Sequence, residues 1–363
     1  MRTLDKVIRI LVGVFFIFSG ALKINDPIGT SIKLKEYFQV FAQDFGNFFE
    51  IFVPVSLPIA VFVIVLEILL GVALLISYRM EITSWILLLL IIFFTFLTFY
   101  SAYFNKVTDC GCFGDAIPLD PWQSFIKDVF LLILVVYLFV RRKKQASAFN
   151  DAKGHLIIGT STLALLVVAI YAIRHLPYLD FRPYHEGADI EASMSPSEEL
   201  RYKYIMTKGG ENFEFDVYPS DTTYEFKDMV LTNPEAQATI TDYSVWNDQG
   251  DYTQETFQGK KLLIIIESVT HSKTGGIKKV NELVQNLDPS IEAIVLTAAD
   301  ERSYENFRHE YQLAIPYYFA DHTVLEAMIR SNPGIMLLKE GVVMGKWHHN
   351  DTPEAEEVER LLE

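Results

Sequence analysis

The alternation of apolar and polar positions divides this chain into two halves of opposite character. Up to about residue 176, long apolar runs are broken only by short polar stretches. Five of them, Leu4–Leu22, Ile51–Ser77, Trp85–Phe104, Phe125–Val140 and Leu156–Ile173, approach the roughly 20 residues that cross a bilayer as a helix. The fourth is the shortest. It opens near Lys127-Asp128, which the pattern places at the membrane interface with the lysine snorkelling outward. The short loops predict an antiparallel four-helix bundle over residues 1–145. The fifth helix, over residues 146–176, reads as a tether. Between the first two spans, Ser31–Phe49 interleaves Ile32, Tyr37, Phe38, Phe41, Phe45, Phe48 and Phe49 with polar residues. This predicts a helix lying along the membrane surface or packed on the bundle.

Beyond residue 176 the pattern shortens. Residues 177–240 read as a connector with accessory strands, carrying Pro177, Pro183 and Pro196 and the strand-like run Asn212–Tyr218. From residue 241 to 363, short strands alternate with helical periodicity. The pattern predicts a hairpin at Asn247–Gly250, strands at Leu262–Ile266 and Ala293–Leu296, and helices at Ile277–Leu287, Ser303–Tyr311 and Val324–Ile329. Two closing strands, Ile335–Leu338 and Val342–Lys346, flank Lys339-Glu340-Gly341. The fold class is therefore a membrane all-α bundle with a fifth transmembrane helix, followed by an α/β domain.

Charge sharpens this division. The net charge is −15, but residues 1–176 carry 15 Lys+Arg against 12 Asp+Glu, and residues 177–363 carry 16 against 34. So acidic a second half argues against a nucleic-acid partner. Arg2, Lys6 and Arg9 form a basic start to the first span, whose apolar part is long enough for a retained anchor rather than a cleaved signal. With Arg79 and the cluster Arg141, Arg142, Lys143 and Lys144, these charges place the loops that carry them in the cytoplasm. Five spans then put residues 105–121 and the acidic domain outside, in the periplasm of a bacterial inner-membrane protein. Lys23, Lys33 and Lys35, after span one, run against this reading, but nearby acids balance them.

The two cysteines of the chain lie in one loop, Cys110-Gly111-Cys112-Phe113-Gly114. A disulfide between residues i and i+2 requires a bent backbone, which Gly111 permits. A bridge closing so small a loop gains little chain entropy, and a strained bridge is more easily reduced. Cys110 and Cys112 are thus read as a redox pair, with a static staple as the competing reading. Two thiolates without a nearby histidine are too few for a zinc site. No metal-ligand set and no cofactor motif is read from the sequence. Adjacent His348 and His349 lack further ligands, and His271 reads as an exposed loop residue. Glu67, in mid-span, is either a buried proton site or a structural hydrogen-bonding group.

Phe18-Ser19-Gly20-Ala21-Leu22-Lys23 with Asn25-Asp26-Pro27, and Leu66–Leu75 around Glu67, resemble the first two helices of DoxX-like membrane proteins. The Cys110–Gly114 loop resembles that of the MauE branch, the methylamine-utilisation membrane proteins. The resemblance covers residues 4–140. It implies a four-helix bundle linked to disulfide chemistry or maturation of exported proteins. Pro333–Gly341 resembles the proline, strand and turn of TlpA-like thioredoxin-fold reductases, implying a cis peptide before Pro333. This chain departs from that family where Cys-x-x-Cys should stand, for it reads Ser268-Val269-Thr270-His271-Ser272-Lys273-Thr274. Without a thiolate this domain performs no thiol exchange.

These features favour a membrane protein of extracytoplasmic thiol chemistry or protein maturation. Cys110 and Cys112 would be its exchanging pair, Glu67 a candidate catalytic group, and Gly111, Gly114 and Pro333 structural residues. Its partners would be membrane lipid and an exported protein client or membrane complex. The alternative is a non-catalytic scaffold whose cysteine-less domain docks an exported partner. A transporter is disfavoured by the scarcity of charges within the spans.

Overall fold

Why the first half folds as it does follows from its helices being apolar nearly all round. The computed structural model describes residues 2–107, 111–144 and 150–363, and the chain divides into two compact units, Met1–Phe181 and Arg182–Glu363. In the first unit, α1 (Arg2–Asn25), α3 (Ser56–Leu75), α4 (Met80–Phe104) and α5 (Pro121–Arg141) form the bundle. Its core is Val12, Phe16, Leu70, Leu74, Leu87, Ile91, Leu131, Val135 and Leu138. Outward-facing Phe62, Leu89 and Ile133 remain exposed, as helices meeting lipid require. Five helices among the described residues are long and apolar enough to cross a membrane. The fifth, α6 (Asp151–Arg174), is more than a tether. Its Leu165 and Ala169 pack against Ile24 of α1 and Ile64 and Ile68 of α3.

Close approach of α1 and α3 depends on glycine. A Cβ on Gly71 would stand 2.6 Å from the backbone oxygen of Gly13, and one on Gly20 would stand 2.4 Å from Cγ1 of Ile68. The turn out of α1 is set by Asp26-Pro27. Asp26 Oδ1 accepts from Gly29 N at 2.8 Å and Pro27 opens α2 (Pro27–Phe45), a combination suited to a helix start. The expected aromatic surface helix is thus α2, followed by a 3₁₀ segment over Asn47–Val55.

In the second unit, β2 (Tyr202–Lys208), β3 (Glu211–Phe215) and β4 (Glu225–Leu231) form an antiparallel sheet in the order β3-β2-β4. They occupy the stretch that the sequence pattern presents as a connector with accessory strands, and β3 overlaps the strand-like run Asn212–Tyr218. The larger sheet is built from β5 (Val245–Asn247), β6 (Gly250–Asp251), β7 (Lys260–Ile266), β8 (Ile291–Thr297), β9 (Tyr317–Ala320), β10 (Gly334–Lys339) and β11 (Val342–His348). Its order is β11-β10-β7-β8-β9-β5-β6. β7, β8 and β9 run parallel, β10 runs antiparallel to β7, and β11 runs antiparallel to β10. Helices α8 (Thr274–Asn286), α9 (Glu301–Glu310), α10 (His322–Met328) and α11 (Ala355–Arg360) complete this α/β domain, after the short α7 (Ile190–Ser193). Residues Lys261–Ile266 of β7 are all buried, as a central strand covered on both faces demands. The Asn332–Pro333 peptide is cis.

Candidate functional site

A small cavity of about 70 Å³ in the first unit collects most of the ionisable groups buried in the bundle. Its walls come from α1, α2, α3, α4 and α5, and Gly111 and Cys112 stand at its edge. Glu67 on α3 is 3% exposed, and both its oxygens accept from Lys23 Nζ, at 3.1 and 2.8 Å. The pattern of the sequence placed Lys23 among loop charges. Instead it ends α1 inside the bundle, 7% exposed, with its ammonium 5.1 Å from the Phe94 ring centroid. A buried carboxylate is stable only when paired in this way.

Lys23 Nζ also donates to Ser19 Oγ at 3.1 Å, and the Ser19 hydroxyl donates to the Cys112 carbonyl at 3.0 Å. A continuous line of hydrogen bonds therefore joins Glu67 to the cysteine loop through one face of α1, since Ser19 and Lys23 are four residues apart.

Lys127 and Asp128, expected to have the lysine snorkelling outward, are both turned into the bundle. Asp128 is 2% exposed and accepts from Thr98 Oγ1 of α4 at 3.0 Å. Lys127 Nζ lies 2.7 Å from Asp128 Oδ1. The same ammonium lies beside the Cys112 side chain. It sits 5.1 Å above the Phe113 ring centroid. α5 starts at Pro121, so residues 127 and 128 lie beyond its first turn, Asp128 against Thr98 of α4 and Lys127 beside the rings of Phe15 and Phe113.

Both sides of the cysteine loop are anchored. Before it, Asp44 of α2 accepts from Tyr100 and Lys106, and these bonds hold its carboxyl below the usual carboxylate range. Ser101 Oγ donates to the Val107 carbonyl. After it, β1 (Cys112–Asp115) presents Phe113 to Phe15 and Phe18, at centroid distances of 5.7 and 6.1 Å. Gly111 and Gly114 take positive φ, +61° and +58°, and Gly114 N bonds the Gly111 carbonyl at 3.1 Å. Such left-handed geometry favours glycine. Of the expected site residues, Glu67, Gly111 and Cys112 thus come together around one cavity. Cys110 lies outside the described residues. Lys23, Ser19, Lys127 and Asp128 were missed, because nothing in sequence marks which charges near a helix end turn inward.

In the second unit, the loop after β7 holds His271 exposed, its Nδ1 3.2 Å from Ser268 Oγ. Pro333 stands near it: Asn332 Nδ2 donates to the Ser268 carbonyl at 2.6 Å. Close by, Ser331 Oγ lies 2.9 Å from His349 Nδ1. Burial, and then the Lys273 charge, hold the His349 imidazole below its usual pKa of 6.5.

Residues 1–141 match the family of the methylamine utilisation protein MauE. With the five apolar helices this makes the chain a multi-pass membrane protein in contact with lipid. Protein TlpB of Flavobacterium psychrophilum is 34% identical over 73 residues, which are 20% of this chain and 18% of that protein. The chain therefore spans less than a fifth of that relative. A thiol peroxidase from Chromobacterium violaceum is similar over 44% of this chain and 95% of its own, at 20% identity and a TM-score of 0.27. That superposition is too loose to bear on fold or activity.

Proposed function

We propose that this chain is an inner-membrane component of extracytoplasmic thiol–disulfide chemistry, with Cys110 and Cys112 as the exchanging pair. The observation that carries the reading is that Lys127 and Cys112 line the same cavity, with the lysine ammonium beside the Cys112 side chain. A neighbouring cation stabilises the thiolate, which is the nucleophile. The match to the MauE family over the bundle supports a membrane setting for this chemistry.

In the exchange, the Cys112 thiolate attacks one sulfur of a disulfide in an exported protein. That S–S bond breaks, the second client sulfur leaves as a thiolate, and a mixed disulfide forms. The Cys110 thiolate then attacks Cys112, releasing the first client sulfur. The pair ends as a disulfide and the client as a dithiol, two electrons having passed. The reverse sequence oxidises the client. Glu67 acts here as a positioning residue, fixing Lys23 and through Ser19 the carbonyl of Cys112. The α/β domain, lacking cysteines, would hold the client on the periplasmic side.

Single-cysteine variants Cys110→Ser and Cys112→Ser test this. One of them should accumulate a mixed disulfide with an exported protein, resolved by reductant. If neither variant traps a partner, and if thiol reagents unable to cross the membrane label neither cysteine in the wild type under reducing conditions, the exchange reading fails. A partner that still co-purifies without either cysteine would then favour the scaffold role.

A further inference from the structure

We infer that the second unit carries a divalent transition-metal site formed by Glu267, His322 and Glu326, independent of the cysteine loop. Glu267 directly follows β7, and His322 follows β9 after a single residue. Both strands run parallel with β8 between them. Their carboxyl ends therefore open on the same edge of the sheet, where ligands bind in open α/β folds. Glu326 stands one turn beyond His322 on α10 and shares its face.

Topology thus gathers on one edge residues that lie far apart in sequence. Their potential ligand atoms all lie within 4.8 Å of one another. The His322 ring lies between the two carboxylates, Nδ1 3.6 Å from Glu267 Oε1 and Nε2 3.5 Å from Glu326 Oε1. One ring nitrogen would ligate an ion, and with metal–ligand bonds of about 2.0–2.2 Å a small shift of the carboxylates would bring one oxygen from each onto the same ion. The side chains are 28%, 43% and 15% exposed for Glu267, His322 and Glu326. An ion can therefore reach them, while the strand ends and α10 fix their backbones. Nearby, Arg182 Nη1 donates to the Ala327 carbonyl at 3.2 Å and Arg330 Nη1 to that of Glu326, anchoring the end of α10.

One imidazole and two carboxylates are donors suited to Zn²⁺ or Mn²⁺ rather than to soft ions held by thiolates. Three protein ligands leave coordination positions open for water or another ligand.

The test uses the full chain in detergent, carrying Cys110→Ser and Cys112→Ser so that thiolates cannot compete. After stripping with a chelator, Zn²⁺ is titrated against a chromogenic chelator and Mn²⁺ is followed by its paramagnetic resonance signal. One equivalent should bind and raise the melting midpoint. Glu267→Gln and Glu326→Gln, which keep shape and hydrogen-bonding capacity, should each weaken binding at least tenfold. His322→Asn should do the same, whereas His348→Asn and His349→Asn should not. Absence of saturable binding would overturn the site and leave a plain histidine–glutamate ion-pair cluster. So would binding that survives both glutamine substitutions.

Discussion

Lys23 and Glu67 form a buried ion pair, Nζ to Oε2 2.8 Å, between α1 and α3. Taking one partner away leaves the other charge buried without compensation, which costs about 3–5 kcal/mol. Lys23→Met and Glu67→Leu should each lower the melting midpoint of the purified protein strongly. The double variant should recover much of the loss, since replacing both charges of a buried pair is often neutral. Strictly additive single and double effects would mean that the pair is not coupled.

The second expectation concerns thiol reactivity. Lys127→Met should slow alkylation of Cys112 at neutral pH, because it removes the neighbouring cation that favours the thiolate. It should leave membrane insertion intact. Ser19→Ala, which removes the bonds to Lys23 and to the Cys112 carbonyl but leaves Lys127 in place, should change the rate far less. Equal rates in wild type and Lys127→Met would separate the lysine from the thiol.

Helix packing gives a third. Any side chain at Gly71 meets the Gly13 backbone, which cannot yield as a flexible side chain can. Overpacking typically costs about 1–3 kcal/mol. Gly71→Val should therefore loosen the bundle, read as a lower melting midpoint and faster proteolysis. Gly159→Ala, where nothing stands within 4 Å, should do neither.

A fourth follows from His349. Its folded-state pKa lies below the ordinary 6.5, so the unfolded chain binds the proton more readily. This contribution to stability is complete above about pH 6.5 and is lost as pH falls toward the lowered folded value. The melting midpoint of His349→Gln relative to wild type should accordingly rise between pH 7 and pH 5. Parallel profiles across that range would contradict the assignment.

Much of this fold is legible in the sequence where burial is one-sided or complete. The five spans announce themselves because lipid and core alike select apolar residues. The run Leu262–Ile266 does so because β7 is covered on both faces. The strand β9 escapes notice: it has four residues, between Pro316 and Asp321. The strands β3 and β4 are almost wholly exposed, so their pattern has little contrast, and only the run Asn212–Tyr218 over β3 reads as strand-like. At the candidate site, the cysteines and Glu67 stand out by type alone. Lys23 does not, because its partner is 44 positions away. The same is true of Glu267. His322 and Glu326 do carry a local signal, their spacing of four on one helix face, but it has meaning only once β7 brings the third ligand to the same edge.

The hydrogen-bonded line from Glu67 through Lys23 and Ser19 to the Cys112 carbonyl has a consequence of thermodynamic reciprocity. Whatever free energy the ion pair lends to one arrangement of the cysteine loop, that arrangement returns in equal measure to the ion pair. A loop conformation that keeps the Ser19 bond clamps α1 against α3, and one that gives it up relaxes them by the same amount. The packing of two helices deep in the bundle and the posture of a loop at its end are, to that extent, a single equilibrium measured at two places.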